Sequence, residues 1–505
     1  MSIYFSEDLP KDVKDLIMHT RKNPISLFLE MYAQLFKTTP EIIFEIVPGE
    51  TKNSFLFVTR VRIGDTLVKG SPHRNKKVSK LDCFVKGIKV LCERYSIAVT
   101  NFAHDLQFKK NTTFFELLHL HTYSKLYSLS QLFPEVIGTE KVISSIFLIT
   151  KKDNVSNAEI VSLATGSKGL RGDMLSLCGC SVNDCHAEVI TRRGLLRFLY
   201  AQVLLYIQDP SKSIFLKNPE TEKLTLRKGL SFHMFVNTVP CGNARVNSLI
   251  DYTHGNKNDL STNDLLRFKI ESGMGTVLGR IPETLGPQTV DGIIGGERLR
   301  TMSCSDKIMR WNVLGVQGAL LSLFVDPIYI SSVTIADKHD KNRLERALYR
   351  RLEGFSPSAP YRVNKPYIAH CQVKLEFFFL CCCFMMLSAS KQCESSTRET
   401  MRGSSISVNW NLADNSVEVV RTSSGRVLGA NSEGVSRLSK KEFAKVFKRV
   451  CNDIGMPVPE GFTYENIKVH CEEYEETKHS LEIWLHDQKL GVWHSKPEEV
   501  SKFVV

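Results

Sequence analysis

No stretch of this sequence is apolar for long enough to span a bilayer. The longest such run, Phe377 to Leu387, is 11 residues, against the roughly 20 that a membrane helix requires. The amino-terminal MSIYFSEDLPKDVKD also lacks the basic segment and apolar core of a secretory signal, so an intracellular protein is expected. In that setting the 14 cysteines are expected to be reduced thiols, small buried groups or metal ligands, not disulfide partners. Acidic residues are in deficit as well. The 54 Asp and Glu face 66 Lys and Arg, and the pI is near 9.0, a balance that favours polyanionic partners such as nucleic acid.

What is present is an ordinary globular composition, with 505 residues of which 42% are hydrophobic, enough for two to four domains. Residues 23–95 read as helix, strands and helix. NPISLFLEMYAQLF spaces its apolar residues helically, SFLFVTRVRIG alternates like a strand, and a second helix follows from about Lys76 to Leu91. Residues 96–135 read as a linker that turns helical towards its end. From 136 to 505, strands such as KVISSIFLIT and EIVSLATG alternate with helical patterns such as HAEVITRRGLLRFLYAQVLLYI, which argues for a layered α/β domain. The segment at about 371–405 interrupts that domain as an insertion, because an apolar block containing LCCCFMML gives way to polar SASKQCESSTRETMRGSS.

One constellation suggests metal chemistry. His186-Ala187-Glu188 opens a long helical pattern, which puts an imidazole at the helix start and a carboxylate in its first turn. His-x-Glu alone says little, since His470-Cys471-Glu472 is another instance. The first differs in its company. Pro240-Cys241-Gly242, the only Pro-Cys in the chain, follows the strand-like SFHMFVNTV 55 residues downstream. Such a position at a helix start favours a thiolate. Zinc deaminases commonly draw their second thiolate from Pro-Cys-x-x-Cys, but Ala244 stands there. Cys304, 63 residues further on and again before a helical pattern, is the remaining candidate. Buried cysteines beside a satisfied histidine would account for these residues equally well.

Longer motifs settle the comparison. SVNDCHAEVITRRGLLRFLY, VPCGNARV, KIESGMGT and GERLRTMSCSDKIMRWNVLGVQGALLS resemble the catalytic domain of the ADAR family, the double-stranded-RNA-specific adenosine deaminases, from about 136 to the carboxyl terminus. The resemblance implies a cytidine-deaminase-like α/β/α domain in which His186, Cys241 and Cys304 hold zinc. Glu188 would carry a proton between the attacking water and the departing amine, giving inosine. It also implies a buried inositol hexakisphosphate, held by Asn183, Arg192, Arg193, Thr301, Lys307 and Arg310 and, further along, by Lys365, Tyr464, Lys468, Tyr474, Lys478, Trp493 and Lys496. Asp184 and Lys269 match a polar relay between the metal and this cofactor. So many cations could not converge in an interior without a polyanion to offset them. Ser495 replaces an acidic ligand of the family.

Residues 23–92 resemble a double-stranded-RNA-binding domain with α-β-β-β-α order. Lys76, Lys77 and Lys80 then meet phosphates from a helix start and Glu30 meets the minor groove, a mode that reads duplex shape. Cys83-Phe84 replaces the usual pair of alanines in the last helix. An adenosine in a duplex must be flipped out to react. Gly273-Met274-Gly275 matches the family's flipping loop with Met274 in place of Glu, an apolar wedge. Lys168, Arg245, Ser272 and Arg298 match further RNA contacts. A tryptophan that supports the family's catalytic dimers is Val290 here, so the resemblance does not carry homodimerisation by that route. The expected location is the nucleus, with the cytoplasm second, and nuclear import through a partner protein, since the chain shows no basic import cluster. The rival readings are a tRNA adenosine deaminase, which lacks the amino-terminal RNA-binding domain, and a catalytically inactive duplex-RNA-binding regulator.

Overall fold

Apolar spacing builds the first unit. In α1 (Pro24–Phe36) Leu27, Phe28 and Met31 face the core, and in α2 (Lys76–Arg94) Cys83, Phe84, Ile88 and Leu91 do. The helices pack on each other, and α2 also lies over the antiparallel sheet β1–β2–β3 (Ile42–Pro48, Phe55–Ile63, Thr66–Lys69) through Val61 and Ile63. The order α-β-β-β-α is as the sequence predicts. Cys83 and Phe84 are fully buried, and the rings of Phe28 and Phe84 sit 4.7 Å apart. The bulk is tolerated because Gly87 lies under Phe28, where a Cβ would come within 2.6 Å of the ring.

This structure, a computed structural model, describes residues 24–36, 38–49, 54–94, 113–132, 142–152, 155–245, 264–271, 273, 275–279, 286–337, 339–371, 405–428 and 434–505. Those up to 94 form one compact unit and those from Phe114 onward a second.

Strand alternation decides how the second unit is layered. Its eight-stranded sheet runs β13–β12–β8–β4–β5–β14–β15–β16. These strands are β4 (Ile143–Lys152), β5 (Val155–Thr165), β8 (Leu230–Thr238), β12 (Ile330–Asp337), β13 (Tyr367–His370), β14 (Ile406–Asn411), β15 (Val417–Arg421) and β16 (Arg426–Val427). β12 pairs parallel with β8 and β13, and the other pairs are antiparallel. Side chains alternate between faces. Ile146, Leu148, Met234 and Val236 therefore join the core beneath α4 (Ala187–Gln208). The intervening residues meet α3 (Phe114–Leu132) on the other face, where Phe235 contacts His119 and Ser145 lies 2.6 Å from Thr122. Helices thus cover both faces, as the α/β/α expectation requires. The helical end of the expected linker, α3, belongs to this unit.

The approach of α4 to β5 depends on Gly194, where a Cβ would stand 2.1 Å from Ser162 Oγ. Leu195 and Leu199, on the same helix, are fully buried, and each contributes about 2 kcal/mol of transfer free energy. Smaller elements complete the unit in chain order. These are the hairpin β6–β7 (Phe215–Lys217, Leu224–Leu226), the sheet β10–β9–β11 (Val277–Leu278, Arg267–Ile270, Arg300–Met302), α5 (Val290–Ile294), α6 (Cys304–Leu314), α7 (Gly318–Leu321), α8 (Lys341–Leu348), α9 (Lys440–Asp453), α10 (Tyr464–Val469) and α11 (Glu472–Asp487). Among the described residues no helix is long and apolar enough to cross a membrane. The expected insertion falls almost entirely on 372–404, outside the described residues.

Candidate active site

Three chain termini of regular elements converge at one end of the sheet. His186 is the residue before α4, with extended backbone, Cys241 follows β8, and Cys304 is the first residue of α6. One ligand atom from each lies within 4.8 Å of the others, and all three residues are buried. Local chemistry fixes each one. Ser303 caps α6 by accepting from Asp306 N at 3.2 Å. The backbone N of Ser305 donates to the Cys241 carbonyl at 3.0 Å. Gly242, with φ +101, is required there, since a Cβ would lie 2.1 Å from Ser303 Oγ. The Cys304 N–H points at Cys241 Sγ, 3.3 Å away.

The electrostatics suit a metal. Contact with the Cys304 thiol, aided by Lys269 and His186, holds the Cys241 thiol well below its ordinary range, whereas burial pushes Cys304 well above it. Burial alone would pull Lys269 down, but the two cysteines raise it, and its Nζ sits 2.5 Å from His186 Nε2. Glu188, in the first turn of α4, is buried, and burial pushes its carboxyl up. Its Oε2 has no hydrogen-bond partner. A buried acceptor without a partner is costly and calls for an occupant beside it. One imidazole, two thiols and an adjacent free carboxyl oxygen are a donor set that fits zinc with an activated water.

The second nitrogen of His186 is equally constrained. Its Nδ1 lies 2.5 Å from Asp184 Oδ1, and Lys307 makes an ion pair with Asp184 Oδ2. Burial would raise Asp184, but Lys307 and His186 outweigh it and hold the carboxyl well below the usual range. A carboxylate behind a ligating histidine fixes the ring's orientation. Of the two residues expected in the relay, Asp184 touches both His186 and Lys307, while Lys269 stands on the other side of the His186 ring.

Two cavities meet at this wall. One, of about 1400 Å³, is lined by His186, Cys241 and Lys269 and also by Lys168, Arg245, Gly273 and Gly275. Of the expected RNA contacts, Lys168 and Arg245 are thus placed above the site. Arg298 does not line it, because its guanidinium is turned to the Glu271 carbonyl at 2.9 Å. Ser272 and Met274 lie outside the described residues. In the first unit Lys76 and Lys77 are exposed, Lys80 is half-buried, and Lys76 covers the Phe44 ring at 4.0 Å. Glu30 lies on α1, but its side chain is outside the described set.

The other cavity, of about 860 Å³, is lined by twelve of the thirteen residues expected to hold the inositol phosphate, among them Asn183, Arg192, Arg193, Thr301, Lys307 and Lys496. Thr301 lines both cavities. Lys365 is the one that the structure does not bring there: its side chain is exposed and takes no part in the lining. Gln317, inside the GVQGALLS stretch but given no role there, and Lys440, outside all of the motifs, also line it. Burial, aided by Lys307, pulls Lys496 down to about 7, and burial, aided by Lys468 and Arg193, pulls Lys440 down to about 7. Arg192 is lowered to about 10 by burial. Arg310 stacks over Trp493 at 4.2 Å and Arg192 over Trp311 at 5.2 Å. Cations so crowded and so poorly solvated are arranged for an anion.

Comparison with known proteins agrees with this geometry. Residues 162–497 match the adenosine-deaminase (editase) domain family, and residues 24–91 match the double-stranded RNA binding motif. The chain is 36% identical over 387 residues to the mouse double-stranded RNA-specific adenosine deaminase, covering 73% of this chain and 31% of that protein. It is 31% identical over 504 residues to the Drosophila melanogaster double-stranded RNA-specific editase Adar, covering 95% and 69%. A Drosophila tRNA-specific adenosine deaminase 1 is 28% identical over 356 residues, covering 69% and 87%. The chain thus spans about a third of the length of its mouse relative.

Proposed function

Because the chain belongs to the adenosine-deaminase (editase) domain family, we propose that it hydrolyses adenosine to inosine and ammonia within double-stranded RNA. The observation that carries the reading is the unpartnered, buried Glu188 Oε2 beside the His186, Cys241 and Cys304 cluster. Those three residues would hold zinc. When bound, zinc supplies a water acidic enough to attack a purine carbon at neutral pH. Glu188, whose carboxyl burial biases towards its protonated form, then holds the proton that the leaving amine needs. Lys269 keeps positive charge beside the thiolates, and Asp184 keeps the His186 ring from rotating away.

The duplex preference rests on the amino-terminal RNA-binding match and on Lys168 and Arg245 at the cavity wall. Met274, between two glycines of which both line that cavity, would act as the wedge that fills the space left by a flipped base. If so, a Met274→Gly variant loses editing of a perfect duplex more than editing of a mismatched one. The second cavity would hold inositol hexakisphosphate as a structural anion, and acid extracts of the purified protein would contain it. Nuclear residence with import through a partner protein completes the reading, to be mapped by truncations fused to a fluorescent reporter.

The deciding experiment measures inosine by mass spectrometry after incubation with a long RNA duplex and, separately, with tRNA. Zinc is counted per chain in the same preparations. Inosine in the duplex alone, lost in Glu188→Ala, supports the proposal. Inosine in tRNA alone supports the rival deaminase, and zinc-loaded protein without inosine on either supports the inactive regulator.

A further inference from the structure

One pair of cysteines has no role in the chemistry above. Cys178-Gly179-Cys180 sits on the turn that precedes Asp184 and His186. Among the described cysteines Cys178 alone is exposed, while Cys180 behind it is buried. Gly179 takes φ +66 and is packed on Phe503, where a Cβ would lie 2.4 Å from the ring. Its N–H donates to the Ser176 carbonyl at 3.3 Å and its carbonyl accepts from Lys441 N at 3.0 Å. Held this way, the turn presses the two sulfurs to 3.3 Å, near contact but longer than the roughly 2.05 Å of a disulfide. Ser176 Oγ lies 3.3 Å from Cys178 Sγ and accepts from Cys180 N at 3.1 Å.

We propose that Cys178 and Cys180 form a redox-active dithiol that exchanges with low-molecular-weight disulfides and closes to an intramolecular disulfide. Cys178 is the attacking sulfur, because it is exposed. Hydrogen bonds from Ser176 and Cys180, with Arg426 nearby, hold its thiol below the ordinary range, whereas burial raises Cys180. The Cys178 thiolate attacks one sulfur of oxidised glutathione and expels one glutathione thiolate, leaving a mixed disulfide. Cys180 then gives up its proton, and its sulfur attacks Cys178 Sγ and expels the second. Two protein thiols are oxidised as one glutathione disulfide is reduced to two thiols. The other described cysteines outside the metal cluster are buried, and burial pushes Cys185, Cys371 and Cys471 up as well, so they are poor competitors.

The test is incubation of the full chain with oxidised glutathione, acid quenching, alkylation, and peptide mapping by mass spectrometry. The expected product in the wild type is a Cys178–Cys180 peptide two hydrogens lighter and closed to alkylation. Cys180→Ser should instead accumulate glutathione on Cys178, and Cys178→Ser should leave Cys180 reduced. Wild type that stops at the glutathione adduct, or that keeps both thiols open to alkylation, overturns the proposal.

Discussion

Asp184 Oδ1 lies 2.5 Å from His186 Nδ1 while its other oxygen carries the ion pair to Lys307. One carboxylate therefore orients the ring of a candidate metal ligand and neutralises a cation on the wall of the second cavity. The two cavities are coupled through this residue, because a change in charge on either side is felt as a change in what Asp184 must balance.

That coupling makes Asp184→Asn informative. The amide keeps the shape but not the charge, so His186 loses an ionic partner and the partly buried Lys307 loses its carboxylate. Loss of such a partner behind a ligand lowers metal affinity about 10–100-fold. Zinc retained per chain against a graded chelator should fall accordingly. A variant that resists chelator as the wild type does would show that Asp184 is dispensable for the metal.

A second buried pair holds the Cys304 arm. Arg351 and Asp306 form an ion pair with both side chains out of solvent, and Asp306 Oδ2 also accepts from Arg267 N at 2.8 Å and from Ser303 Oγ at 2.6 Å. Arg351→Met should destabilise by about 3–5 kcal/mol, because Asp306 keeps its charge without its partner. The double variant Arg351→Met, Asp306→Asn should recover part of that loss. Thermal melts of the two variants check the ranking, and equal melting temperatures would contradict it.

The anion cavity makes a prediction about pH. Lys440 and Lys496 are both pulled down to about 7, from about 10.4 in an unfolded chain. Between these values the unfolded state binds protons that the folded state does not, so stability rises with pH. The slope is about 1 kcal/mol per pH unit for each lysine. Refolded, anion-free protein should therefore melt higher at pH 9 than at pH 7. Inositol hexakisphosphate favours the charged lysines and should flatten or reverse that trend. Anion-free protein whose melting temperature falls between pH 7 and 9 would falsify the assignment.

Legibility in the sequence followed the range of the interactions. The layered sheet could be read from alternation in KVISSIFLIT and from the helical period after His186, since both are local. The metal cluster could not, because His186, Cys241 and Cys304 are brought together by the sheet, and only the surrounding motifs singled them out. Lys440 escaped notice because a lysine just after a Ser439 cap looks like any exposed helix start. Burial lowers its pKa, and the like charges of Lys468 and Arg193, on other helices, lower it further. Lys365 is the opposite case, since its motif is present while its side chain is exposed. For α3, assigned to a linker, the signal was diluted by polar residues such as His119 and Thr122, which turn out to be buried against the sheet.

Glu188→Gln separates chemistry from architecture. Glutamine fills the same space but cannot carry a proton, so inosine formation should fall about 10²–10⁴-fold with zinc per chain unchanged. Stability should move the other way. Burial raises the carboxyl in the folded state, so as pH climbs past the unfolded value of about 4.3 the fold is penalised for ionising this group. Glutamine escapes that penalty, and the variant should melt no lower than wild type at neutral pH. Activity, zinc content and melting temperature falling together would instead make Glu188 a structural support of the metal cluster, and the proton carrier would have to be sought among the other groups facing it, with Lys269 first.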